Sequence, residues 1–187
     1  MNRGAVAKKY RGIVLMSPLA REYADWWSVW YDLLSARQAL HDRNFIPNKP
    51  SNMYGRRAMW DGAVVAYCRG FKPGRQSALL GPLLNSLTPL QRARHDEALH
   101  WRDKHIAHRV DKKLEHVAVT AMVDADGQVV EVQGSVTTTM MPPESAILEF
   151  AKVVDLLKDL VWEKRLVPLE ADLKQEYEIH GVVPPTG

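Results

Sequence analysis

The chain has 187 residues, 46% hydrophobic and 25% charged, with 25 Lys plus Arg against 22 Asp plus Glu. A chain of this size and ordinary usage can bury about 70% of its unfolded surface, so one folded domain is expected and a repeat array or disordered linker is argued against. The net charge of +3 is compatible with a polyanionic partner without demanding one, and the single cysteine, Cys68, leaves no disulfide framework and no CxxC zinc pair, pointing to a reducing, cytoplasmic setting.

Residues 1–16 hold Arg3, Lys8, Lys9 and Arg11 and no acid. The apolar run at 12–20 is about half of the ~18 residues a spanning helix needs, and no small-x-small cleavage pattern follows it. This segment reads as a flexible basic arm, not an export signal or a membrane span, followed by a single helical domain over 17–180 and a tail at 181–187. Ser17 caps the first helix with Pro18 at its first position. Leu19, Tyr23, Trp26, Trp27, Trp30, Leu33, Leu34 and Leu40 then recur at three-four spacing to about His41. Such a helix is ~35–40 Å long, typical of a bundle or a dimer interface, and its aromatic cluster is expected in the core.

Pro47 and Pro50 break the chain before a second helix, whose buried side carries Met53, Trp60, Val64, Tyr67, Cys68 and Phe71. Gly62 is its weak point and Lys72-Pro73-Gly74 its stop; Cys68 reads as a small buried hydrophobe. Residues 75–87 read as a packed loop or short helical turn. Thr88-Pro89 repeats the cap-plus-proline start, and a third helix is predicted to about Arg109. The period then changes to Val- and Thr-rich runs at 116–123 and 128–138 around Asp124-Ala125-Asp126-Gly127, a β-hairpin signature. From Pro143 a further helix carries Ile147, Phe150, Val153, Val154, Leu157, Leu160 and Val161 on one side. Pro168 is expected to interrupt it before a charged last helix. The predicted class is mainly α, a bundle of four long helices with a hairpin inserted at about 116–140.

Five of the seven histidines, His95, His100, His105, His108 and His116, lie in one stretch of the third helix and its exit. A metal reading would use His105 and His108 with Glu97, but there is no HExxH, and Trp101 stands on the same face where ligands should converge. A serine hydrolase lacks its GxSxG elbow, and no P-loop or GxGxxG is present. The remaining chemistry pairs Arg102 with His108, six residues and ~120° apart on a helix, so that both can line one cleft. Arginine is a permanently charged fork for phosphate, and histidine exchanges protons near neutrality. The bland reading of the same residues is an ion pair for Arg102 and a helix C-terminal position for His108.

The heptapeptide Arg102-Asp103-Lys104-His105-Ile106-Ala107-His108 resembles the HEPN superfamily. That family's pattern is an arginine, a polar residue, and a histidine after four to six intervening positions. Arg94 with His100 and Arg109 with His116 stand at comparable spacings, without the same surrounding residues. The resemblance implies a helical bundle that dimerises with the motif at the interface. It implies a metal-independent endoribonuclease with no cofactor, often a toxin or phage-defence effector with an antitoxin protein as partner; some members serve instead as non-catalytic binding modules. His108 would be the acid or base, Arg102 the phosphate and transition-state stabiliser, Asp103 an orienter and His105 an auxiliary. Arg56, Arg57, Arg69, Lys72 and Arg75, with Lys104 and Arg109, would extend an RNA track. The hairpin is a departure from a plain bundle.

Overall fold

The computed structural model describes residues 13–71, 80–107, 115–139 and 141–180. These form five α-helices and one two-stranded sheet: α1 (Pro18–Phe45), α2 (Met53–Arg69), α3 (Pro89–Trp101), β1 (Glu115–Val123), β2 (Val129–Thr138), α4 (Glu144–Val161) and α5 (Val167–His180). None of the described helices is long and apolar enough to cross a membrane.

The cap signals act as the residue types require. Ser17 Oγ accepts from the Ala20 N–H at 3.1 Å, and Thr88 Oγ1 accepts from Gln91 N–H while Gln91 Oε1 accepts from Thr88 N–H, closing a capping box. The buried side of α1 is Trp26, Val29, Leu33, Ala36, Leu40 and Arg43, a strict three-four seam whose last place is taken by an arginine. Of the aromatic cluster, Trp26 is buried, whereas Trp27 is 40% exposed, stacks with Tyr23 and packs at a tilt against Trp30 and Trp162 in a partly solvated ridge.

Pair contacts give the directions of the helices. Arg56 at the start of α2 reaches the end of α1, and Arg69 at its end reaches Asp32, so α2 runs antiparallel to α1. Glu144 meets Arg43, Asp155 meets Arg37, and Trp162 meets Trp27 and Trp30, so α4 is antiparallel to α1 as well. On α3, His95 meets Tyr67, and Trp101 meets Asp61, which sets α3 antiparallel to α2. Between them lies a core centred on Trp60, Tyr67, Trp101 and Phe150, with Cys68 buried in it as expected.

Two local outcomes differ from the sequence reading. The expected interruption at Pro168 does not occur: a π-helical turn at Trp162–Leu166 carries the chain from α4 into α5, and Pro168 lies just after that turn, within α5. The described residues thus form five α-helices where four long ones are expected, and α3, with 13 residues, is shorter than α5, with 14. The third helix also changes character, passing from α to π geometry over Arg102–Ile106.

Gly62 is exposed within α2, and a Cβ built on it meets nothing within 4 Å. Gly62→Ala is expected to stabilise the chain by ~0.5–1 kcal/mol through reduced unfolded-state entropy, measurable as a raised denaturation midpoint. An unchanged or lowered midpoint would show that this glycine serves a contact.

Candidate functional site

The heptapeptide that starts at Arg102 begins where α3 ends. Over Arg102–Ile106 the backbone widens to a π-turn, and the Ala107 N–H donates to the Arg102 carbonyl five residues back at 2.9 Å. Such turns are rare and recur at functional sites because the extra residue re-aims the side chains around it. The Arg102 side chain is 31% exposed and its Nη1 donates to Asp103 Oδ1 at 2.8 Å, so the arginine and the polar residue of the motif hold each other. Lys104 is exposed.

His105 points inward. It is 1% exposed, packs edge-on against Trp101 with centroids 4.7 Å apart, and meets Arg57 Nη2 through its Nε2 at 2.7 Å. Guanidinium has only donors, so this Nε2 accepts and the ring is the neutral tautomer protonated at Nδ1. Arg57 also pairs with Asp61 at 3.3 Å and donates to Thr138 Oγ1 at 3.4 Å, while Asp61 accepts from Trp101 Nε1 at 3.1 Å. Arg57 thereby ties together α2, the π-turn and the base of the hairpin. His105, expected as an auxiliary catalytic group, is placed where it braces that junction.

His95 is also interior. Burial raises the Tyr67 hydroxyl well above its usual range and lowers the His95 imidazole, so both are neutral and Tyr67 donates to His95 Nδ1 at 2.8 Å. Two of the basic residues expected on an RNA track are held in ion pairs at opposite ends of α2. Arg56 is 5% exposed because its guanidinium is bound to Glu144 and to the Ile46 and Arg43 carbonyls. Arg69 is exposed, pairs with Asp32, and lies at the far end of α2 from Arg57. His108, Arg109, Lys72 and Arg75 lie outside the described residues. Among the described residues no three His, Cys, Asp or Glu side chains converge as a metal site would require.

Beside the π-turn, between α3 and the start of α4, is a cavity of about 640 Å³. Its floor is Trp60, Trp101 and Phe150, and Arg94, Glu97 and His100 stand at its rim. Neither the cavity nor the Arg57 junction is announced by sequence spacing, because each joins segments far apart in the chain. Comparison with protein-family models, curated proteins and solved structures finds no match to this chain.

Proposed function

We propose that this chain is a HEPN-type endoribonuclease that cleaves RNA without a metal ion, acting as a toxin or defence effector. The observation that carries the reading is the π-turn at Arg102–Ile106. It bears the motif's arginine, part-exposed and oriented by Asp103, while Arg57 retains His105 in the interior. His108 is then the imidazole of the motif left for proton transfer.

In this mechanism a histidine removes the proton from a ribose 2′-hydroxyl, and the 2′-oxygen attacks the adjacent phosphorus. The P–O5′ bond breaks as a second histidine protonates the departing oxygen, leaving a 2′,3′-cyclic phosphate and a 5′-hydroxyl. Arg102 stabilises the charge that grows on the phosphorane oxygens. A two-fold dimer supplies two such histidines, one as base and one as acid.

The test is RNA cleavage by the purified protein in EDTA with end-group analysis. Cleavage that persists in chelator, leaves the cyclic phosphate and falls at least about a hundredfold in both Arg102→Ala and His108→Ala is expected. Equal inactivity of wild type and variants on varied RNAs would favour a non-catalytic binding module.

A further inference from the structure

Among the described residues the hairpin is a two-faced ribbon left uncovered on both sides. The register pairs Val117 with Val136, Val119 with Gly134, Ala121 with Val132 and Val123 with Val129, so these residues share one face. The other face pairs His116 with Thr137, Ala118 with Ser135, Thr120 with Gln133 and Met122 with Glu131, and is mostly polar. Of residues 116–137 all but Ala118 are exposed, and the valines of the apolar face are 59–72% exposed. An isolated two-stranded hairpin is marginal in water, and so persistent an alternation of valine on one side and polar residues on the other marks a face that is meant to be covered.

We propose that a second copy of this chain covers it, the two ribbons stacking valine face to valine face about a two-fold axis along the strands. Six valines, each about three-fifths exposed, present on the order of 500 Å² per chain, in the range where exposed apolar patches mark interaction sites. Doubled over two chains this reaches about 1,000 Å², the lower bound for a specific interface between proteins.

The pattern of sizes selects the copy as the occupant. A two-fold along the strands lays β1 of one chain over β2 of the other at the same level. Val119 of each chain then meets Gly134 of its mate, and Ala121 meets Val132, so large faces small at both central levels. Each contact is made twice, as an isologous interface demands. The same axis puts both ribbon bases at one end of the assembly. Arg57 contacts Thr138 at that base, so the two π-turn regions lie on the same side of the dimer. This interface stands whether or not Arg102 is catalytic.

The test is the mass of the full chain in solution, by light scattering or sedimentation equilibrium at tens of micromolar, for wild type, Val119→Lys and Gly134→Val. Wild type is expected at twice the chain mass of 21.2 kDa. Val119→Lys is expected as a monomer with unchanged helical circular dichroism, since its side chain is exposed in the single chain. A Cβ at Gly134 meets nothing within 4 Å in one chain, so Gly134→Val folds normally but weakens dimerisation at least about tenfold by filling the place of the mate's Val119. A monomeric wild type overturns the proposal. A dimer that survives Val119→Lys places the interface elsewhere, and undiminished dimerisation of Gly134→Val overturns the stacking geometry.

Discussion

Phe150→Ala is expected to lower the unfolding free energy by ~4 kcal/mol and the melting temperature by ~8–16 °C. The ring is 1% exposed and meets Trp60 and Tyr67 edge-on, with centroids 5.4 and 4.9 Å away. It therefore contributes quadrupole contacts besides its transfer free energy. Collapse cannot relieve the loss. Tyr67 is tethered through its hydroxyl to His95, and Trp60 packs edge-on against Trp101, itself bonded to Asp61. Phe150 also floors the 640 Å³ cavity, so truncation opens the core toward that space. Urea unfolding of Phe150→Ala beside Phe150→Leu checks this. The leucine variant should lose far less, and a loss below about 1.5 kcal/mol for alanine would mean that the neighbouring helices close over the gap.

Much of the helical frame was legible because local signals decide it. Ser17-Pro18 and Thr88-Pro89 mark helix starts through chemistry confined to four residues, and the valine period with Asp124 to Gly127 defines the hairpin and its turn. In that turn Gly127 takes φ 79° and Asp124 Oδ1 accepts from the Asp126 and Gln128 N–H groups. What escaped notice depends on residues far apart in sequence. Arg43 carries no sequence signal and Arg56 reads as part of an RNA track, because the carboxylate that lets them be buried, Glu144, is 101 and 88 residues away. His105 likewise shares a helical face with His108 in sequence, yet Arg57, 48 residues away, draws it inward. The π-turns have no short-range signature, and periodicity cannot tell that no described helix lies beneath the valine face of the ribbon.

Removing Glu144 is expected to cost ~3 kcal/mol as Glu144→Ala, because it leaves two buried guanidinium groups without their anion. Arg43 donates from Nη1 and Nη2 to the two carboxylate oxygens at 2.8 and 2.7 Å, and Arg56 adds a bond at 3.1 Å. The figure lies at the lower end for a broken buried pair, since Glu144 itself is half exposed and water reaches the site from that side. The carboxylate also sits in the first turn of α4, where the helix dipole favours it. Arg43→Met should cost less than Glu144→Ala, because it removes a buried charge and leaves Arg56 paired. The hydrogen bonds from Arg43 hold the Glu144 carboxyl below its ordinary value of 4.5, outweighing the opposing effect of burial. With the folded value depressed, this stabilisation is complete above about pH 4.5 and is lost as pH falls through the folded value. Urea unfolding of wild type and Glu144→Gln from pH 7 to pH 3 should therefore show a gap between them that is widest near neutrality and closes on the acid side. A gap that stayed constant with pH would show that Glu144 acts through packing and not through its charge.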